Sequence, residues 1–217
     1  MYARFVKRLL DLLIGLIALP FVLLAVLFLA PVIFINDPGP VFYNAPRRGK
    51  NGKTFKMIKF RSMYVNSPDL RNADGSTFNG TADPRVTKVG RFLRKTSLDE
   101  VPQFLNVLVG HMSLIGPRPT IPGVPFESIP PENRVRYTVR PGITGYAQAF
   151  YRNSITQQEK FQYDAYYAEH LTFGLDCRVL WQTVKAVLGQ KNIYVTPAAP
   201  ADQPAEQQPA AQETEKV

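Results

Sequence analysis

The sequence predicts a mixed, helix-rich α/β protein carried on an apolar membrane segment, and three observations predict it. Residues Leu12 to Ile35 contain no charged side chain, close to the ~20 apolar residues that a bilayer-spanning helix needs. Asn51-Gly52 separates two strand-like runs, which is a hairpin signal. Beyond it, apolar residues return at three- and four-residue steps, the mark of helices. The 217 residues divide accordingly into a membrane segment at 1–37, a compact domain at 38–195 and a polar tail at 196–217.

The first element admits two geometries. A cleavable signal peptide would have a shorter apolar run and a small-residue cleavage site; here the run is long and Asn36-Asp37-Pro38-Gly39-Pro40 follows it. Pro20 lies inside the run, where it removes a helix hydrogen bond and favours a kink. Both flanks are basic: Arg4, Lys7 and Arg8 precede it, and Arg47, Arg48, Lys50, Lys53, Lys56 and Lys59 follow. Positive charge marks the cytoplasmic side, so a helix-break-helix that enters one leaflet and returns satisfies both flanks. A plain anchor helix with a proline kink is the other reading. Asp11, costly in lipid, needs a partner, and Lys7 and Arg8 are nearby in sequence.

Pro40 to Pro46 reads as a strand, centred on Val41-Phe42-Tyr43, and Thr54 to Met63 as its return. Residues Asn66 to Asp83 form a long polar stretch, either a functional lid or a disordered loop. Helical periodicity follows at Val89 to Leu93, Leu98 to Val109 and Phe161 to His170. A last helix places Cys177, Leu180, Trp181, Val184 and Leu188 on one face. That face packs on a core or lies in a membrane interface with the tryptophan at headgroup level. After Val195 the chain turns to Pro, Ala, Gln and Glu without periodicity, the composition of a disordered tail.

Composition narrows the function. Lys and Arg outnumber Asp and Glu by 26 to 17, a net charge of +9, which suits phosphate-bearing partners. One cysteine, Cys177, excludes an internal disulfide and zinc sites built on several thiolates. His111 and His170 are the only histidines and stand in no metal-ligand spacing, and no Walker-type loop is present.

Chemistry concentrates in three stretches. In Arg91-Phe-Leu-Arg94-Lys95-Thr96-Ser97-Leu98-Asp99-Glu100, Ser97 and Glu100 have the spacing of a capping box. The same geometry offers free N–H groups and positive charge to a phosphate. Beside Arg91, Arg94 and Lys95 a carboxylate such as Asp99 can stay ionised and attack phosphorus. Carboxylate and anionic substrate repel each other, so magnesium is a natural helper, with Asp99 its candidate protein ligand. In Gly116-Pro117-Arg118-Pro119 two prolines stiffen the backbone around an arginine suited to bidentate phosphate contact. In Arg140-Pro141-Gly142-Ile143-Thr144-Gly145 a Pro-Gly turn carries Arg140 at its edge. Arg152-Asn153 and Tyr163-Asp164 are weaker signals. Each stretch also has a purely structural reading, as a helix cap or a turn. A membrane-anchored basic module that binds nucleic acid or anionic lipid explains the charge, but leaves Asp99 and Glu100 without a role.

Taken in order, Lys7-Arg8-Leu9-Leu10-Asp11, Lys59-Phe60-Arg61-Ser62-Met63, Ser97-Leu98-Asp99-Glu100, Gly116-Pro117-Arg118-Pro119 and Arg140-Pro141-Gly142-Ile143-Thr144-Gly145 resemble the bacterial sugar transferase family, the monotopic phosphoglycosyl transferases. The resemblance covers about Met1 to Tyr194. It implies a re-entrant helix-break-helix at 1–37, with the break at Pro20, and a compact catalytic domain with interfacial amphipathic helices on the cytoplasmic face of the bacterial inner membrane. It also implies transfer of a sugar phosphate from a UDP-sugar to polyprenyl phosphate, with release of UMP and with magnesium. Asp99 corresponds to the family's nucleophile and Glu100 to its partner carboxylate. Substrate contacts are implied for Lys59, Arg61, Arg94, Pro117, Arg118, Pro119, Arg140 and Thr144. No nucleic-acid partner is implied, and a homo-oligomer stays open. The sequence departs from the pattern in two places: no serine precedes Pro20, with Leu24 nearer the usual break, and His111 stands where many members carry Asp.

Overall fold

The computed structural model describes residues 2–70, 78, 80, 83–152 and 154–189. Most of the polar stretch 66–83, residue Asn153 and the tail at 196–217 lie outside them. The architecture is mixed and helix-rich, with one long N-terminal apolar helix of the kind that anchors a chain in a membrane.

That helix, α1, runs from Lys7 to Asn36, or ~45 Å at 1.5 Å per residue. It stays helical through Pro20 and Pro31. No non-helical residue separates two helices at Pro20; the proline gives up one ladder bond inside a helix that continues on both sides. Its buried residues are Lys7, Asp11, Gly15, Val22 and Ile33, with Ala25, Val26 and Leu29 packed beside the last of these. At 3.6 residues per turn these positions fall within a ~100° stripe. The opposite side is apolar and bare, including Leu16, Ile17, Phe21, Leu27 and Phe28, each more than 60 % exposed. One helix thus presents a continuous protein-facing stripe and a continuous apolar face.

Polar groups key the start of α1 into the domain. Asp11 accepts from Ser113 Oγ (3.0 Å) and the Leu114 N–H (2.9 Å), not from Lys7 or Arg8. Its place on the buried stripe turns it toward the strand that begins at Ser113. Lys7 reaches Asp176 at 2.7 Å, and Asp176 also accepts from the Tyr2 and Tyr167 hydroxyls, each at 2.6 Å. Arg8 donates to the Val107 and Leu108 carbonyls. Asp176→Ala would leave a buried ammonium and two hydroxyls without their acceptor. We expect a loss of about 3 kcal/mol, read as a lower melting temperature in detergent.

Strands β1 (Phe42–Arg48) and β2 (Thr54–Phe60) pair antiparallel, Phe42 opposite Phe60 and Arg48 opposite Thr54. The predicted turn is present. Asn51 and Gly52 both have positive φ, 55° and 76°, the conformation that makes Asn-Gly favoured there. Next come α2 (Lys88–Thr96), α3 (Gln103–Leu108), β3 (Ser113–Ile115), α4 (Pro131–Arg134), β4 (Gly142–Thr144), α5 (Tyr146–Phe150), α6 (Gln157–Glu169) and α7 (Phe173–Leu188). β3 and β4 pair in parallel, Ser113 opposite Gly142 and Ile115 opposite Thr144. The Gly116 and Pro141-Gly142 turns therefore cross at backbone contact: a Cβ on Gly142 would lie 2.1 Å from the Gly116 nitrogen.

Among the described residues, three small cores hold these elements. Phe55, Met57, Val107 and Met112 tie the hairpin to α3. Ile115, Ala149, Tyr167 and Val179 join β3 to α5, α6 and α7. Ile33, Phe60 and Leu93 join α1, β2 and α2, with Leu98 packed against them. The predicted last helix forms, but its core contact is Val179, fully buried. The stripe of Cys177, Leu180, Trp181, Val184 and Leu188 is exposed, so it is not the core face. The Lys185 ammonium lies 5.2 Å from the Trp181 ring.

Candidate active site

Asp99 and Glu100 stand on a single 3-10 turn, Leu98–Glu100. The sequence predicts one helix from Leu98 to Val109; two features divide it. Ser97 adopts a left-handed conformation, φ 58°, closing α2, and Pro102 cannot donate a backbone bond. The Ser97–Glu100 capping box does not form, for Ser97 makes no side-chain cap bond. Glu100 turns instead to Lys59 of β2, whose Nζ lies 2.5 Å from Glu100 Oε1. A charge-assisted bond outcompetes a cap. The capping box of this chain lies elsewhere, between Thr156 and Glu159 at the start of α6. A three-residue turn also lacks the row of free N–H groups that the sequence reading assigned to a helix start.

The turn is pinned from beneath by Leu98 in the α1–β2–α2 core, which leaves the two carboxylates among cations. Arg118 Nη2 is 3.6 Å from Glu100 Oε1. Arg94 donates through Nε to Ser62 Oγ at 2.9 Å. Asp99 is 9 % exposed, and among the described residues no hydrogen bond engages its carboxylate. The two acids consequently titrate apart. Burial pushes the Asp99 carboxyl up to about 6 against the pull of Lys59, with the neighbouring Glu100 charge adding to the rise and Arg94 and Arg118 opposing it. Burial also acts to raise Glu100, but Lys59 and Arg118 outweigh it and hold that carboxyl down at about 2. One acid is locked as an ion-pair partner; the other is an unbonded carboxylate that loses its proton below neutral pH. In metal-free buffer, carbon-13 carboxyl resonances should show Asp99 titrating near pH 6 while Glu100 stays ionised to below pH 4. A single midpoint near 4 for both would contradict this electrostatic arrangement.

Of the residues singled out in the sequence, Lys59, Arg94, Asp99, Glu100 and Arg118 form this cluster. Pro117 is buried and Pro119 half-buried on either side of Arg118. The others do not join it. Arg61 is clamped onto Asp37 at the end of α1, with Nη1 2.5 Å from the carboxylate and Nη2 on the Asp37 carbonyl. Arg140 donates through Nε to the Gly110 carbonyl at 3.0 Å. Thr144 shares a 2.7 Å hydroxyl contact with Thr183 of α7. Each is a tether between elements. A small cavity of about 10 Å³ lies behind Arg118, lined by Arg48, Pro117, Arg136 and Tyr137 among others; it has room for about one water. A wider groove of about 580 Å³ runs past Phe126, Arg134 and Tyr137 and includes neither carboxylate.

Sequence reasoning passed over Arg136, which forms a buried ion pair with Asp164, and Arg48, buried against Phe126 and Tyr137. Arg48 stands in the basic flank of the hairpin and reads there as one more surface charge.

The bacterial sugar transferase family model matches residues 2–190. The chain belongs to the bacterial sugar transferase family. Among its relatives is an uncharacterized sugar transferase of Bacillus subtilis, EpsL, 39 % identical over 191 residues, which cover 88 % of this chain and 91 % of that one. A UDP-N-acetylgalactosamine-undecaprenyl-phosphate N-acetylgalactosaminephosphotransferase of Aeromonas hydrophila is 38 % identical over 85 % of this chain and 44 % of its own length. An undecaprenyl-phosphate galactose phosphotransferase of Salmonella typhimurium is 36 % identical over 88 % and 42 %. This family member thus spans most of the Bacillus protein and less than half of the other two.

Proposed function

We propose that this transferase moves a sugar phosphate from a UDP-sugar to undecaprenyl phosphate, or a similar polyprenyl phosphate, at the cytoplasmic face of the bacterial inner membrane. The observation that carries the reading is Asp99, a buried carboxylate with no hydrogen bond among the described residues, set beside Lys59, Arg94 and Arg118. The names of the Aeromonas and Salmonella relatives supply the substrate class.

The chemistry divides into two displacements. An Asp99 oxygen attacks the sugar-linked phosphorus of the donor; the bond to the bridging oxygen breaks and UMP leaves. The phosphosugar is then an acyl phosphate on Asp99. A phosphate oxygen of the lipid attacks the same phosphorus, the bond to Asp99 breaks, and a polyprenyl diphosphosugar departs with the carboxylate restored. A covalent intermediate lets one small site serve a water-soluble and a lipid substrate in turn. Arg94 and Arg118 offset donor charge, while Lys59 holds Glu100 beside the lipid phosphate. The residues present fit magnesium. Among the described residues no three acidic or histidine side chains gather, and Mg²⁺ is commonly held by one or two carboxylates plus substrate phosphates. Asp99 would be its protein contact, and the bound ion would screen diphosphate charge.

The bare face of α1 fits the bilayer, and the exposed Trp181 stripe of α7 fits its interface. The test is a panel of UDP-sugars with undecaprenyl phosphate and full-length reconstituted protein. One or a few donors should release UMP, and sugar phosphate should stay on the protein when lipid is withheld. No UMP from any donor would overturn the reading.

A further inference from the structure

We propose that the buried pair Arg136–Asp164 is a positioning device for Arg118, and through it for the Glu100 carboxylate. The proposal rests on the catalytic reading above. Arg118 alone is poorly held. Its side chain is 55 % exposed and its contact with Glu100 spans 3.6 Å, and an exposed ion pair of that length fixes little by itself. What fixes Arg118 is its backbone. Pro117 and Pro119 restrict the dihedrals on both sides, and Arg136 Nη2 donates to the Arg118 carbonyl at 2.8 Å.

That same Nη2 donates to Asp164 Oδ2. Arg136 and Asp164 are each only 2 % exposed. The guanidinium lies over the Phe161 ring at 4.4 Å and near the Tyr137 ring at 5.2 Å. Both bonds leave one nitrogen, whose two hydrogens lie in the rigid guanidinium plane; a lysine ammonium sits on a shorter, flexible stem that no such plane holds in place. A buried ion pair contributes little net stability over an apolar replacement, so stability alone is a weak reason for this one. The connection it makes is specific. It runs from α6, through Arg136, to the turn whose Arg118 side chain reaches back to Glu100. Neither residue faces Asp99 or Glu100 in a contact of its own, so both are positioning residues and not catalytic ones.

The experiment is a double-mutant cycle on full-length protein in membranes, with the UDP-sugar that the wild type turns over. Arg136→Lys keeps a charge beside Asp164 but loses the rigid plane and the reach that hold Nη2 on the Arg118 carbonyl. Alone, it should lower kcat/KM for the donor about tenfold, the scale of one hydrogen bond from a charged group. In an Arg118→Ala background it should change kcat/KM by less than about twofold, because the group it positions is gone. Equal losses in both backgrounds would overturn the proposal, since a merely structural role acts regardless of Arg118. Should Arg136→Lys not fold, Phe161→Leu removes the ring under the guanidinium while sparing the ion pair, and is read in the same cycle. Absence of wild-type turnover refutes the catalytic reading instead, so the two failures are distinguishable.

Discussion

Replacing Asp99 by Asn is expected to lower turnover by ~10³-fold or more, the scale seen when a covalent nucleophile is removed, while leaving the fold intact. The amide has the same shape, and no hydrogen bond to the carboxylate is lost among the described residues. It also carries no charge to desolvate. Burial places the Asp99 pKa near 6, above its ordinary 3.8, so the folded chain binds that proton more tightly than the unfolded one. The corresponding stability is complete below about pH 4 and fades as pH rises through 6. At pH 7 the ionised group is therefore a cost, and the Asn variant should melt at the same temperature or higher. Mass spectrometry of intact protein with donor alone should show the sugar-phosphate adduct on wild type and none on the variant. Undiminished turnover would remove Asp99 from the mechanism. A stable but inactive variant is the signature of a site that gives up stability for reactivity.

Gly142→Ala is expected to cost more than ~4 kcal/mol, a size reserved for a short list of severe defects, and to abolish folded protein. Its Cβ would lie 2.1 Å from the Gly116 nitrogen and 2.2 Å from the Thr144 oxygen. Both are backbone atoms, which cannot rotate aside as a side chain can. Relief would require parting β3 from β4, where Ser113 faces Gly142. The N–H of Ser113 donates to the Pro141 carbonyl in the same crossing. Expression level and thermal melting measure the effect; a melting temperature within ~2 °C of wild type would mean that the two turns separate easily.

These two positions also show how far the sequence could be read. Local signals were legible where the chain obeys local rules. Asn51-Gly52 marked the hairpin because positive φ is a property of those residues themselves, and the charge-free run marked α1. The glycines of Gly116-Pro117-Arg118-Pro119 and Arg140-Pro141-Gly142 were visible, but their reason, the crossing of two distant turns, was not. Ser97 and Glu100 misled in the same way. Their spacing is that of a cap, yet Lys59, 41 residues away, claims the Glu100 side chain, and the helix starts afresh at Pro102, the N-cap of α3. Arg136 and Asp164 are 28 residues apart, and no periodicity links them. The carboxylate pair drew notice as two acids among basic residues, and the family resemblance supplied the role expected of Asp99. Arg61, Arg140 and Thr144 stand in the same motifs, and their contacts in the fold, which tie elements together, could not be read from spacing.

One feature of α1 has a bearing on how the chemistry meets the lipid. Ile33 touches the cluster that holds Leu98, and Leu98 is the residue before Asp99. Asp99 is thus one position removed from a residue packed into the α1 cluster, with no flexible linker between. With α1 in a bilayer, the height of Asp99 above it would follow from side-chain dimensions and from the rotational phase of the helix. Inserting one residue after Gly15 would turn everything downstream by ~100°, swing Ile33 out of register with Leu93, and uncouple the height of the reacting group from the membrane surface.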